Sequence, residues 1–560
     1  MRWIALLGLV LGACSNGDKA PADTDVAVDD TDVGADTDDT DAVADTDLDD
    51  TDPVDSDTGA HMWETDSGGG GGIDTSPDPD LDGDGYTASS DCDDADVDIN
   101  PGAVELCDGV DNNCDTVTDG QVATFFPATG APVDQTAAMT GTPGSPGVAT
   151  LRTAGVLQIC PGVWFSRVSV QSGHVTVRSF DDVAYTALDA TGAPVGTETL
   201  RVNGDTVVVH GLVLLNANGP VARVSPGSTD VQFEGTAIAD GDGGAGSGGL
   251  TIDANSGVTL VAGIVKTNTS TGAGGGVSVG ANATLLADGT VFDGNSADRG
   301  GAVSVGAGAV VELIDVVVRN NIAFARGGAL WLEGSGSLTV THGAFNDNTA
   351  TEGGALWVSG ANAALTVDGS TQIRASGGGA VVLDGVGTAT MSDLLLEDNS
   401  TAGDGAALRV LGDTNLTWTR GIVRTNTAGV HGTVRVEGGV VGLSSLLFRG
   451  NLTEQGGALS VSGGAVTATD CTFDANEASE DGGAIHVLAG TLNVTGGVWS
   501  NNFAVRGGGL FLEGGTATMD TVDLSTGVDD NTPNDVELPA AVVYTFDAAT
   551  SAVCDPTACL

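Results

Sequence analysis

Lysine is nearly absent: Lys19 and Lys266 are the only two in 560 residues, and 18 cations in all face 76 carboxylates, for a formal net charge of −58. Binding to nucleic acid draws most of its affinity from Lys and Arg displacing counterions, so this balance argues against nucleic acid as a partner and favours cations. Aromatic residues are scarce too, at 4%. Beyond the first thirteen residues no apolar run is long enough for a membrane-spanning helix. A P-loop, a nucleophile elbow, an HExxH helix and paired CxxC motifs are all missing, which removes the common signatures of phosphoryl transfer, acyl transfer and zinc hydrolysis. What the chain has instead is 87 glycines and an acidity concentrated before Gln121. Its length exceeds one compact domain, so several segments or an elongated repeat are expected.

The opening MRWIALLGLVLGAC has one arginine, a short apolar run and small residues before a cysteine, the pattern of a signal peptide. Leu11, Gly12, Ala13 and Cys14 resemble the lipobox of bacterial lipoproteins. The resemblance implies that Cys14 becomes the lipidated first residue of the mature chain, and Ser15 in place of Asp implies outer-membrane sorting. The expected membrane attachment is then a lipid anchor on Cys14. Residues 15–77 are nearly all Asp, Thr, Ala, Val and Gly, too charged and too poor in large apolar groups to repay ordering, and read as a disordered tether.

Residues 78–120 form an acidic cysteine module. Counted from Asp80, oxygen donors fall at positions 1, 3 and 5 (Asp80, Asp82, Asp84), glycine at 6 (Gly85), the Tyr86 carbonyl at 7 and a carboxylate at 12 (Asp91). Alternating carboxylates on a wrapped loop suit a hard cation, and calcium is the expected cofactor. Asp111, Asn113, Asp115 and Asp119 repeat the start more weakly, with Thr116 where glycine is wanted. The phrases DLDGDGY, DCDD and NPGAVELCDGVDNNCD together resemble the metal-binding repeat of the MopE type. The resemblance implies a bound metal, while copper chemistry does not carry over to a module without histidine.

After Cys14 come Cys92, Cys107, Cys114, Cys160, Cys471, Cys554 and Cys559. Cys471 falls on an inward strand side and reads as a buried free thiol. The other six allow fifteen pairings; the preferred ones are Cys554 with Cys559, in the C-terminal segment 541–560, and Cys160 with a module cysteine. Three bridges would fit an oxidising compartment.

From Gly249 to Gly508 a glycine pair recurs every 25 to 27 residues, with Ala406 as one substitute, and short Val/Leu/Ile runs alternate with polar residues in between. A period of that length signals a solenoid, and three short strands per unit predict an all-β, right-handed parallel β-helix over residues 121–540. An apolar column (Val265, Phe292, Val318, Phe345, Leu396, Val423, Phe448, Phe473, Trp499) predicts an inward core stack. Three residues after each stands an asparagine (Asn268, Asn295, Asn321, Asn348, Asn399, Asn426, Asn451, Asn476, Asn502), expected to adopt the left-handed conformation and to bond its equivalents along the axis. The coil near Gln372 lacks it, and an irregularity is expected there. The GGA and FxxN phrases over residues 260–515 resemble the repeats of polymorphic outer-membrane proteins, although the C-terminal stretch is too short for their barrel.

β-Helices include polysaccharide lyases and hydrolases, but no column of carboxylates or calcium-plus-arginine converges on one face. His431, Asp529 and Asp530 stand isolated. In the outward column after the glycine pair, Trp331 and Trp357 are expected to be exposed on adjacent coils, with Arg409 and Arg435 further on, as contacts for a surface polysaccharide or another cell-surface protein. The sequence therefore reads as a lipid-anchored outer-membrane or cell-surface protein whose calcium-stabilised rod serves adhesion. A secreted polysaccharide lyase or hydrolase and a passive envelope component are the alternatives.

Overall fold

The computed structural model describes residues 78–118, 122–180, 185–525, 527–538 and 543–546. One coil shows the plan: Val303–Val305, Ala309–Ile314 and Val317–Arg319 are three short strands, each paired in parallel with its counterpart in the next coil. The third strands alone form a continuous 14-stranded sheet from Gly162–Trp164 to Val498–Ser500. At ~4.8 Å per strand that stack runs for about 60 Å. The fold is the expected all-β parallel solenoid, with one four-residue helix, Thr136–Met139, among the described residues. No helix among them is long and apolar enough to cross a membrane.

Strand alternation puts every second side chain inside. Val265, Phe292, Val318, Phe345, Leu396, Val423, Phe448, Phe473 and Trp499 are all buried, with Ile373 filling the rung between Phe345 and Leu396. Phe448 and Phe473 stack with ring centroids 4.7 Å apart, and Phe473 meets Trp499 edge-on at 5.0 Å. Cys471 is buried and free, as expected. At the N-terminal end Ala123–Pro127 runs antiparallel to Gly155–Ile159 and so covers a strand edge that would otherwise invite pairing.

The asparagines stack as expected, but the conformational expectation was off by one residue. The left-handed residue is the one before each asparagine: Thr267 (φ 53°), Asn320 (56°), Asp347 (56°), Asp398 (55°), Thr425 (54°), Ala475 (53°) and Asn501 (56°), with Gly294 and Gly450 in the remaining rungs. That residue turns the chain so that the asparagine side chain points inward, where all nine are fully buried. In a complete rung, Asn426 Oδ1 accepts from the Asn399 N–H (3.0 Å) and Nδ2 (2.9 Å), while Asn426 Nδ2 donates to the Leu396 carbonyl (2.9 Å) and to Asn451 Oδ1 (3.0 Å). Asn531 extends the row past Asn502 and ends it by donating to Asp535 at 2.8 Å. The expected irregularity is Ser376, which occupies the ladder position three residues after Ile373; its N–H reaches Asn399 Oδ1 at 3.0 Å, but its buried hydroxyl has no partner.

The glycine pair has two separate reasons. Gly300 needs a positive φ of 60° to start the strand, whereas a Cβ on Gly301 would collide with the Gly328 carbonyl of the next coil. The second requirement is steric and explains why the pair recurs in step with the coil.

Candidate metal centre

The loop from Asp80 to Asp91 is shaped by carboxylates that bind their own backbone. Asp80 takes the Gly83 N–H (2.7 Å) on Oδ1 and the Gly85 N–H (3.1 Å) on Oδ2. Gly83 and Gly85 have φ of 84° and 101° with open space where a Cβ would stand, so glycine is needed there for conformation. Asp82 Oδ1 accepts from Asp84 N at 3.1 Å, Asp84 Oδ1 from Tyr86 N at 2.8 Å and Asp91 Oδ1 from Asp93 N at 2.9 Å. The Tyr86 ring packs on Gly102.

In each of Asp82, Asp84 and Asp91 the other oxygen, Oδ2, is buried and has no hydrogen-bond partner. Asp91 as a whole is only 9% exposed. Carboxylate oxygens from Asp80, Asp82 and Asp84 lie within 4.8 Å of one another. Desolvation, followed by the charges of Asp84, Asp91 and Asp80, pushes the Asp82 carboxyl up. Burying bare anionic oxygens together is costly unless a cation neutralises them, so the donor set fits a hard metal ion with oxygen ligands. The module carries a metal-binding motif.

Two family models match parts of the chain: Cu-binding MopE, described as “Putative metal-binding motif”, over residues 91–120, and the Chlamydia polymorphic membrane protein repeat over residues 470–488. No curated protein and no solved structure matches. The first match begins at Asp91, the last carboxylate of the loop; the second falls on the Phe473 to Val487 stretch of the solenoid wall.

Asp94 approaches the start of the loop at Leu81. Its Oδ1 accepts from Leu81 N at 3.2 Å, and its Oδ2 is a fourth buried oxygen without a partner. The DCDD phrase was the available signal, but Asp94 lies outside a twelve-residue loop count. Cys92 and Cys114, which also lie close to Asp91, are joined in a disulfide and offer no thiolate.

The second group copies the backbone pattern of the first. Thr116 N donates to Asp111 Oδ2 (2.7 Å), Asp115 N to Asn113 Oδ1 (3.0 Å) and Val117 N to Asp115 Oδ1 (2.8 Å). Thr116 takes the strained φ of 73° that glycine would hold freely. No oxygen of Asp111, Asn113 or Asp115 is left buried and unpartnered, so this group stays the weaker one, and Asp119 lies outside the described residues. Buried Glu105, which sequence reasoning did not single out, holds this loop through the N–H groups of Asn112 (3.4 Å) and Asn113 (3.2 Å).

Disulfides lock the module in place. Cys92–Cys114 links the end of the first loop to the middle of the second, and Cys107–Cys160 ties the module to the solenoid, as the preferred pairing of Cys160 anticipated. Thr124 Oγ1 adds a hydrogen bond to the Glu105 carbonyl at 3.1 Å. Cys14, Cys554 and Cys559 lie outside the described residues.

The outward column is in register as expected, with Trp331 opposite Trp357 and Arg409 opposite Arg435, but its exposure needs correction. Trp357 is 2% exposed and Trp331 half-buried, because the guanidinium of Arg326 lies 4.2 Å from the Trp357 ring and that of Arg299 lies 5.4 Å from Trp331. Arg435 is buried as well, donating to Ser460, and Arg409 bridges Glu352 (3.3 Å) and Glu437 (2.7 Å). His431 is not isolated either: its Nδ1 lies 3.0 Å from Asp404.

Proposed function

We propose that this protein is an exported, surface-displayed adhesion rod. In this reading Cys14 carries the lipid anchor in the outer membrane, residues 15–77 form the tether, and the module at 78–120 holds calcium through Asp80, Asp82, Asp84, Asp91 and the Tyr86 carbonyl. The solenoid then presents its side wall to a surface polysaccharide or another cell-surface protein. The observation that carries the reading is a 14-stranded wall with a polymorphic-membrane-protein repeat, disulfide-linked at its N-terminal end to a metal-binding motif. Calcium would neutralise the crowded carboxylates and stiffen that junction.

The contact strip would be formed by half-buried Trp331 with its Arg299 cover, the Arg326 cover of Trp357, and Arg409, with buried Arg435 next to Arg409 in the same column. A binding profile of the mature chain against whole cells and a glycan panel, with and without calcium, tests the reading. Calcium-dependent cell or glycan binding that weakens in a Trp331→Ala, Arg409→Ala variant is expected. Absence of binding on every surface, or release of unsaturated products from acidic glycans, would overturn it.

A further inference from the structure

We propose that the outer face of the second strands, from Ser337 to Asp520, is an ice-binding surface, a further function that rests neither on the ion loop nor on the tryptophan strip. Eight consecutive coils read SLTVT, ALTVD, TATMS, NLTWT, VVGLS, AVTAT, TLNVT and TATMD at this level. The second and fourth residues of every segment are buried in the core, so the first, third and fifth form three outward columns. In the central column Thr339, Thr366, Thr390, Thr417, Thr467 and Thr518 follow in register, with Gly442 and Asn493 in the two remaining rungs. All six threonines are half-buried or exposed. Ser392, Thr419, Ser444, Thr469 and Thr495 continue the pattern in the column beside them.

Three properties of this face select its occupant. Neighbouring coils lie ~4.8 Å apart and outward residues two apart along a strand lie ~6.6 Å apart, so the columns make a regular grid. Both repeats are close to spacings between water oxygens in hexagonal ice. The face is also uncharged: the eight segments hold no Lys or Arg, and their carboxylates, Asp368 and Asp520, stand at its border. The third strands of the same coils carry Arg374, Glu397, Arg424 and Arg449 instead. Charged heads hold their hydration shells and are costly to strip, so a face that meets solid water does better without them. Finally, the hydroxyls are available. Among the described residues none of the six central ones bonds a side chain, and Thr516 Oγ1 with Thr491 Oγ1, at 3.2 Å, is the one pair joined within the face. Each threonine thus offers a hydroxyl to a lattice water and a methyl to the gap between waters. Such contacts are weak singly, but a rigid wall makes them simultaneously. Crystalline polysaccharide, the competing solid, is gripped by aromatic rings, and none points outward here: Trp418 is fully buried.

The test measures thermal hysteresis and the shape of growing ice crystals with the parent protein and with Thr417→Tyr, Thr467→Lys and Thr472→Tyr. Thr417→Tyr raises a bulky ring in the centre of the grid and Thr467→Lys a charge, whereas Thr472→Tyr puts the same ring on the wall of third strands. The parent should facet the crystals and hold their freezing point below their melting point. Both effects should be lost in Thr417→Tyr and Thr467→Lys and kept in Thr472→Tyr. Circular dichroism checks that each variant folds, and Thr390→Lys replaces either grid variant that does not. A parent that neither shapes ice nor shows hysteresis overturns the proposal, and so do folded grid variants that keep both effects. A parent that sediments with crystalline cellulose or chitin while leaving ice growth unchanged assigns the face to a solid polysaccharide and overturns it as well.

Discussion

Ser376 offers a test in which one substitution should strengthen the protein. At this rung Asn348 meets no asparagine above it, its Nδ2 donating only to the Val318 carbonyl at 2.8 Å, and the Ser376 hydroxyl is buried without a partner. Ser376→Asn would place an acceptor above the Asn348 N–H and Nδ2 and a donor below Asn399 Oδ1 and the Phe345 carbonyl, the four bonds seen at Asn426. Each intramolecular hydrogen bond is worth about 0.5–1.5 kcal/mol net. Ordering the new side chain costs about 1 kcal/mol, and imperfect fit takes a further share, which leaves a gain of about 2 kcal/mol. The mirror substitution, Asn426→Ser, strands the Asn399 amide and the Leu396 carbonyl in a dry interior and should cost about 3 kcal/mol. Guanidinium unfolding of parent, Ser376→Asn, Asn426→Ser and the double variant, followed by tryptophan emission and by unfolding rate, measures both. A gain of 2 kcal/mol is roughly a thirty-fold change in the equilibrium constant. If Ser376→Asn unfolds no later than the parent, or Asn426→Ser costs less than about 0.5 kcal/mol, the hydrogen-bond accounting is refuted and the apolar stack alone sets the turn.

Three further outcomes are expected. Burial pushes the Cys471 thiol up to about 11, so a thiol reagent at pH 8 should label it only after unfolding; rapid labelling of the native chain would contradict its placement. Burial pushes the His486 imidazole down, although Glu513 lies 3.1 Å from its Nε2, so the folded state refuses a proton that the unfolded chain takes below about pH 6.5. Its contribution is present above that pH and lost on acidification, by up to ~1.4 kcal/mol per pH unit, and His486→Phe should flatten the slope; an unchanged slope counts against it. Arg326→Ala should bare the Trp357 ring, raise iodide quenching of tryptophan emission and cost about 1 kcal/mol, and unaltered quenching would show that something else covers it.

The legible parts of the fold are those that repeat. Phe292, Phe345, Phe448 and Phe473 recur at the coil period, as do the asparagines, and a period converts directly into a stack. Trp331 and Trp357 were placed in the correct column by the same logic, but register says nothing about what folds over a column. Their covering arginines, Arg299 and Arg326, come from the segment between the asparagine and the glycine pair, where residue type varies from coil to coil. The left-handed turn was read one residue late because the recurring Asn is a usual occupant of that conformation, whereas here the variable residue before it (Thr, Asp, Ala, Gly or, at 320 and 501, a second Asn) holds it and leaves the ladder asparagine free to point inward. In the metal centre, Asp80, Asp82, Asp84 and Asp91 obey a fixed spacing and could be counted. The contact of Asp94 with Leu81 depends on how the chain turns after Asp93, and no spacing rule reports that.

The asparagine ladder also gives the rod a direction. Backbone bonds between parallel strands point both ways along the axis and largely cancel. The side-chain amides do not alternate: from Asn268 to Asn348, and again from Asn399 to Asn531, every Nδ2 that bonds another asparagine points toward the C-terminal coil and every Oδ1 receives from the N-terminal side. Amides linked head to tail polarise one another, so each row behaves as a small wire of aligned dipoles inside an apolar sleeve. Ser376 is the break in that wire. The two ends of the cylinder are thus electrically unlike, quite apart from the acidic module that sits on one of them.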